Sequence, residues 1–319
     1  MSSNALPSLR QLRYLVELAD RLNFRQAAEA SFVTQSTLSA GIKELENLLD
    51  VQLVERDTRV VRLTPVGEEV VSRARGLLAA AHDLVSTAKS AAEPLTGLVG
   101  LGAIPTVAPF LLPGLLPALR RRYPTLRLYL REDLTERLIE RLRAGQLDMA
   151  LIALPFETGE LLVRELFKDE FWFVAREDDP HAQEKAVAVK SLDPGQILLL
   201  EEGHCLRDHA IAACGGRLAN PESRIEATSL NTLIQMVEGG LGVTLLPEIA
   251  LKAGALRGTK LIARPFAPHV PSRHIALVAR PGSARRRDFE LLADFVAEHE
   301  RAQRAAQVPS RRLAAKRSA

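Results

Sequence analysis

Two cysteines stand where redox chemistry is open to them. Cys205 lies in Glu201-Glu202-Gly203-His204-Cys205-Leu206-Arg207-Asp208, directly after the strand-like run Ile197–Leu200; Cys214 follows nine residues later, before Gly215-Gly216. A thiol attacks an oxidant as thiolate, and neighbouring cations or the free amides of a helix N-terminus favour that form. The strand-to-helix junction at Cys205 offers such amides, and His204 and Arg207 are candidate cations. Attack on a peroxide yields a sulfenic acid, which a second thiol converts to a disulfide. Leu206–Ala213 is rich in helix formers. As one helix, the spacing places the two cysteines about 13–14 Å apart along the axis. A disulfide needs Cα atoms within about 7 Å, so the segment must unwind before the bond forms. Gly215 and Gly216 ease that unwinding. On spacing alone, two unrelated thiols, one buried and one partly exposed, stay open as a reading.

These residues sit in a region of alternating patterns. From residue 98, apolar strand-like runs (98–104, 126–130, 149–154, 171–175, 197–200, 243–246 and 275–279) alternate with helical periodicities near 109–122, 134–144, 229–239 and 286–299. Such alternation predicts an α/β architecture with mostly parallel sheets, and the length suits two small lobes with a cleft between. Thr106 falls in the loop after the first run, and Thr135 at the start of a helix. A hydroxyl there both donates and accepts, though each threonine reads equally as a plain helix cap. Gly239-Gly240-Leu241-Gly242 follows a helix and precedes a strand, the reverse of a nucleotide loop, and reads as a helix-ending turn.

The first 64 residues have a different texture. Apolar positions recur at helical spacing over 9–22, a short helix follows through Ala27, Ala28 and Ala30, and Thr34 can cap a third helix with the stripe Leu38, Ile42, Leu45, Leu48 and Leu49. Val51–Val54 and Val60–Leu63 read as a small hairpin or wing. The third helix leaves Gln35, Ser36, Thr37, Ser39, Ala40 and Lys43 outward. Small polar side chains near a helix N-terminus suit entry into the major groove of double-stranded DNA. Arg56 and Arg59 in the wing are placed for backbone phosphate or the minor groove. An ordinary three-helix subdomain with a solvated face is the bland alternative. Thr64-Pro65 then opens a long helix over 65–92. Its apolar seam, Val66, Val70, Ala74, Leu77, Ala81, Leu84 and Ala88, suits pairing with its own copy.

Composition bounds the rest. A 319-residue chain, 47% hydrophobic and 25% charged, is a globular protein of two or three domains. The expected divisions are a DNA-binding domain (1–64), a linker and dimerisation helix (65–93), a two-lobed domain (94–302) and a basic tail expected to be disordered (303–319). Two cysteines exclude a disulfide scaffold. The formal charge of +3 is set by the tail, whose six basic residues after residue 300 have no acid among them; residues 1–64 balance eight basic against eight acidic. The case for DNA binding is therefore local placement rather than overall basicity. Leu95–Leu119 carries no charge, but its four glycines and four prolines argue against a membrane-spanning helix. With no secretory signal visible, a cytosolic location is expected. The seven histidines show no metal-ligand spacing and no nucleophile–base triad is legible, so neither a metal nor another cofactor is expected, and an enzyme such as a thiol peroxidase carrying a DNA-binding domain is a remote third reading.

Residues 9–67 resemble the winged helix-turn-helix of LysR-type transcriptional regulators. The match rests on Leu12, Phe24, Ala27, Ala28, Thr34-Gln35-Ser36-Thr37-Leu38-Ser39, Ile42, Leu45-Glu46, Leu53, Arg56, Thr64 and Gly67. Family members usually carry proline where this chain has Ser36, and often arginine near Lys43. The resemblance extends over the long helix and a two-lobed α/β domain of the periplasmic-binding-protein type. It implies that Gln35, Thr37, Ser39 and Lys43 face DNA, that the protein is a homodimer and a dimer of dimers (a homotetramer), and that it acts with RNA polymerase. Most family members are gated by a small metabolite held between the lobes. Gly203-His204-Cys205-Leu206-Arg207-Asp208 with Cys214, together with Ile104-Pro105-Thr106, Ala227-Thr228-Ser229-Leu230 and Gly242–Pro247, is similar to the OxyR-like branch, whose members sense hydrogen peroxide. That similarity implies a peroxidatic Cys205 and a resolving Cys214. It implies hydrogen-bonding partners for peroxide in Thr106, Thr135, Gly203 and His204, with Arg207 and Asp208 in support. A dithiol reductant such as glutaredoxin or thioredoxin would reset the switch. His209 departs from the amide expected at its position.

Overall fold

The structure, a computed structural model, describes residues 6–56, 61–90, 94–213 and 226–315. The chain forms two compact units, the first built from residues up to Lys89 together with Arg143–Gln146, the second from the remainder.

In the first unit, α1 (Leu9–Arg21), α2 (Phe24–Ala30) and α3 (Gln35–Leu49) close on a core of Leu15, Leu18, Ala27, Leu38, Ile42 and Leu45. Each helix starts at a polar cap. Ser8 and Gln11 satisfy one another's backbone reciprocally at α1; Asn23 caps α2 and Thr34 caps α3. The wing pairs β1 (Val54–Arg56) with β2 (Val61–Leu63), antiparallel. Its first strand therefore begins three residues later than the expected Val51–Val54. The displaced stretch is held otherwise: the Glu46 carboxylate accepts from the Leu53 and Val54 amides at 2.9 and 3.1 Å, and Thr64 Oγ1 donates to Gln52 O at 2.8 Å. Helix α4 (Pro65–Ser90) is about 39 Å long. Val71 and Ala74 join the head's core, whereas Val66, Leu77 and Leu84 of the expected seam stand exposed.

In the second unit, β3 (Gly97–Ala103), α5 (Ala108–Arg122), β4 (Leu126–Glu132), α6 (Thr135–Arg143) and β5 (Met149–Leu154) follow in order. A long strand, β6 (Leu162–Arg176), comes next, then β7 (Leu199–Leu200), α7 (Cys205–Ala213), β8 (Glu226–Ala227), α8 (Leu230–Glu238), β9 (Thr244–Pro247), α9 (Glu248–Lys252), β10 (Leu261–Pro265), β11 (Ser272–Ala279) and α10 (Arg286–Ala315). The main sheet runs β10-β6-β11-β5-β3-β4, with β9 also on β6; β7 and β8 form a separate parallel pair. The expectation of mostly parallel sheets needs correction. β3 is parallel to β4 and β5, but every pairing of β6 and β11 is antiparallel. The cause is β6, which runs 15 residues rather than the five of the expected 171–175 and bridges two cores. Its first part pairs with β11 over a core of Leu101, Leu138, Leu151 and Leu277; its end pairs with β9 and β10 over Phe173, Leu200, Leu233 and Leu246.

The uncharged stretch 95–119 is a buried strand and an amphipathic helix. Pro109, Pro113 and Pro117 of α5 are spaced by four on its exposed side, where a missing N–H leaves no buried gap. The expected disordered tail also differs: α10 carries the backbone helically to Ala315, in keeping with its alanine-, arginine- and glutamine-rich composition. No helix among the described residues is long and apolar enough to cross a membrane.

One close approach fixes the wing against α4. A Cβ at Gly67 would lie 2.1 Å from Leu53 O. Gly67→Ala is expected to destabilise the N-terminal unit by about 2–3 kcal/mol, read as a lowered thermal midpoint of that unit with the second unit's transition unmoved.

Candidate functional site

Cys205 is the first residue of α7 and only 5% exposed. Its side chain belongs to the β3–β5–β11 core, whereas the next residue, Leu206, belongs to the other core. The thiol thus enters one lobe from a helix that packs with the other. Burial pushes its pKa up; the Arg273 guanidinium, the Thr135 hydroxyl and the Leu206 amide act the opposite way, and Asp208 adds to the rise. In this state the sulfur is a neutral thiol, held among groups that favour the thiolate.

Arg273 organises that surrounding. It is wholly buried at the start of β11, opposite Asp169 of β6 in the strand register. Nε donates to Asp169 Oδ2 at 3.0 Å, one terminal nitrogen to Thr106 Oγ1 at 2.8 Å and the other to Thr106 O at 3.1 Å. Asp169 Oδ1 accepts from the Ile249 amide at 3.0 Å. A guanidinium only donates, so Thr106 Oγ1 accepts in this bond and keeps its own proton to give. Thr106 is therefore no helix cap; α5 has no side-chain cap at all. Thr135 is not one either. Its Oγ1 is buried and makes no hydrogen bond of ordinary geometry; the Cys205 sulfur is the group it bears on.

The other expected residues fall elsewhere. His204 is buried and its ring is held below the usual imidazole range by that burial, so it brings no charge to Cys205. Arg207 donates to Leu200 O at 3.1 Å and pairs with Glu226, neither of them among the groups that bear on the thiol. Asp208 is exposed, and Gly203 is an exposed turn residue with φ +91°. The cation near the sulfur is thus Arg273 rather than His204 or Arg207. Its signal in the sequence was parity: positions 273, 275, 277 and 279 of β11 face inward, and an arginine starts an otherwise apolar inward row. His209, the departure noted above, is buried beside this group with Nε2 3.1 Å from Pro155 O. Cys214 and Arg59 lie outside the described residues, as does the Arg56 side chain.

In the N-terminal unit, Gln35, Ser36, Thr37 and Lys43 are exposed on α3 and Ser39 is half-buried. Thr34 Oγ1 bonds both Ser36 Oγ (2.9 Å) and Thr37 Oγ1 (2.8 Å), which fixes the first turn. This face, its capped N-terminus and the adjoining wing have the shape of a groove-reading head.

A DNA-reading winged helix joined by a long helix to a two-lobed α/β domain defines a ligand- or signal-responsive transcriptional regulator. Comparison with known families agrees: residues 9–68 match the bacterial regulatory helix-turn-helix of the lysR family, and residues 92–301 match the LysR substrate binding domain. The chain belongs to the LysR family of transcriptional regulators, a family of regulators rather than enzymes. It is 47% identical over 92% of its length to the HTH-type transcriptional regulator EstR of Acinetobacter baylyi, covering 97% of that protein. It is 38% identical over 91% of its length to the DNA-binding transcriptional dual regulator OxyR of Escherichia coli K12, covering 94%. Among solved structures it resembles a full-length cysteine-to-aspartate OxyR of Pseudomonas aeruginosa (TM-score 0.75, 37% identity, 92% of this chain and 95% of that one). It also resembles a peroxide-bound cysteine-to-serine OxyR of Corynebacterium glutamicum (TM-score 0.65, 34% identity, 97% of each chain).

Removing Arg273 should separate its two roles. Arg273→Met leaves Asp169 buried without its partner, an expected loss of about 3–5 kcal/mol, and raises the Cys205 thiol pKa further. Arg273→Lys keeps the charge and is expected to move the pKa less. Alkaline titration followed by thiolate ultraviolet absorbance checks the order.

Proposed function

We propose that this regulator senses hydrogen peroxide through Cys205. The observation that carries the reading is the cluster itself: a buried thiol faced by Arg273, a Thr106 hydroxyl with a proton to give, and a buried Thr135 hydroxyl that bears on the sulfur. Peroxide in that position meets a sulfur nucleophile on one side and hydrogen-bond groups for its leaving oxygen on the other. The small ionised fraction of Cys205 attacks one oxygen, the O–O bond breaks, and the departing hydroxide takes a proton to become water. The resulting sulfenic acid condenses with Cys214 and releases a second water. Helix α7 spans about 13.5 Å, so the disulfide requires it to unwind from Cys205 onward. The lobes repack, and the change reaches heads that read promoter DNA through Gln35, Ser36, Thr37, Ser39 and Lys43, with Arg56 and Arg59 on the backbone. Output to RNA polymerase and reset by a dithiol reductant complete the proposed cycle, with Gly203, His204, Arg207 and Asp208 shaping the loop that refolds. The relatives named for hydrogen-peroxide induction support this reading.

A second reading is favoured by one finding. Burial keeps the Cys205 thiol neutral at rest. In that reading a small metabolite between the lobes gates the same fold and Cys205 is a core residue.

Mass spectrometry after brief stoichiometric peroxide decides between them. The expected products are a Cys205 sulfenic acid and then a Cys205–Cys214 disulfide, with Cys205→Ser losing the promoter response to peroxide. An unchanged response in that variant overturns the peroxide reading.

We further propose that α4 pairs with its copy through the exposed Val66, Leu77 and Leu84. Leu77→Glu with Leu84→Glu is expected to convert the dimer to monomer by light scattering, and operator affinity should fall with it.

A further inference from the structure

Arg280 directly follows β11 and is buried. Its Nη1 donates to Leu142 O at 2.6 Å and to Leu147 O at 2.8 Å. Leu142 lies in the last turn of α6, where carbonyls have no partner within the helix, and Leu147 leads into β5. One guanidinium nitrogen thus closes the neck of the loop 143–146. That loop belongs to the first compact unit although both its flanks belong to the second. Its hold on α4 is at Gly145, which turns with φ +70°. A Cβ there would lie 2.6 Å from Ala79 Cβ and 2.7 Å from Ala79 Cα. The contact is backbone against backbone and methyl, with no long side chain to absorb a movement. Five residues after Arg280, Arg285 fixes the chain that enters β3. It donates to Leu98 O at 3.0 Å and to Asp288 at 2.7 Å, and the other oxygen of Asp288 accepts from the Leu95 amide at 2.8 Å. Both backbone segments that lead toward α4 are therefore held by side chains of the β11–α10 connection. Arg273, whose charge bears on the Cys205 sulfur, stands at the start of the same strand, about 23 Å from Arg280 at the usual rise per residue.

We propose that Arg280 is a positioning residue: it holds the loop 143–146 in the shape that seats Gly145 on α4, and β11 is the strut by which events around Arg273 reach the helix that carries the DNA-reading head. The strand is suited to this. It pairs with β5 over His274–Ala279 and with β6 along its whole length, so neighbours on both sides keep it straight. A shift at its start is carried to its end, and Arg280 passes that shift to both sides of the loop's neck at once. The inference does not rest on the peroxide reading, because any signal that displaces Arg273 uses the same strut.

Lying between two sites is not coupling, so the test reads α4 itself. Hydrogen–deuterium exchange of the full-length protein is compared for wild type, Arg280→Met and Arg280→Lys. Methionine keeps an apolar stem and removes the donor, whereas lysine keeps a donor for the two carbonyls. Arg280→Met is expected to speed exchange of the 143–146 amides about tenfold and of the α4 amides over 76–81 about threefold. Arg280→Lys is expected to fall between, with β5 unchanged in both. A merely local role loosens 142–147 and leaves α4 at its wild-type rate, which overturns the proposal. Arg273→Lys, at the far end of the strand, is expected to change exchange over 76–81 about threefold in the otherwise wild-type chain and to have no effect there once Arg280→Met is also present. No effect of Arg273→Lys on α4, or the same effect in both backgrounds, overturns the strut. Should Arg280→Met fail to fold, Ala79→Leu takes its place, since it fills the position of Gly145 without touching Arg280. With Ala79→Leu, Arg273→Lys is expected to change exchange in the loop and no longer in α4, and an unchanged response of α4 overturns the proposal. No arm uses peroxide, so a failure of the peroxide reading leaves every one of these outcomes as it stands.

Discussion

A guanidinium buried between two strands and a loop sets the terms for the regulatory domain. Arg273 and Asp169 face one another across β11 and β6, wholly out of water. Two charges in such a place are tolerable only when each is also hydrogen-bonded, and here they are. Arg273 also donates to the Thr106 hydroxyl and carbonyl, and the second oxygen of Asp169 accepts from the Ile249 amide. The pair therefore ties together the loop after β3, the strand shared by both lobes, and the start of α9. Loss of either charge would strand the other.

The same pair explains an apparent conflict at Cys205. Apolar packing keeps the thiol protonated, yet a signal-sensing sulfur must react. Arg273 is close enough to favour the thiolate, but much of its field is answered by Asp169 at 3.0 Å. The sulfur is thus left protonated at rest and supported when it ionises. A reactive group kept in reserve suits a sensor that should answer a pulse rather than the background.

The N-terminal head was legible almost completely, because its signals are local: Ser8, Asn23 and Thr34 mark three helix starts, and the apolar stripes follow the helical repeat. The helices of the second unit were legible for the same reason, except the short α9, which was not read. The sheet was not. Antiparallel pairing of β6 and β11 joins residues about a hundred positions apart in sequence, and no local period encodes it; β10 and most of β6 were missed outright. The site divides along the same line. Cys205 could be named from its junction in the chain, and Thr106 and Thr135 only from the family resemblance; Arg273 donates to Thr106 and bears on the Cys205 sulfur, as does Thr135. Arg273 and Asp169 act only through long-range pairing, so charge near the sulfur was assigned to its sequence neighbours, His204 and Arg207, which point to other partners.

Cys205 is lodged in one core, while Leu206, the next residue of its helix, is turned into the other. A sulfhydryl is at home there because it behaves as a small hydrophobe. Adding an oxygen makes it a polar side chain in an oily niche, where it is costly unless bonded. Modification at that one position is therefore also an eviction notice: the wedge that pins two halves together becomes the atom group least content to stay between them.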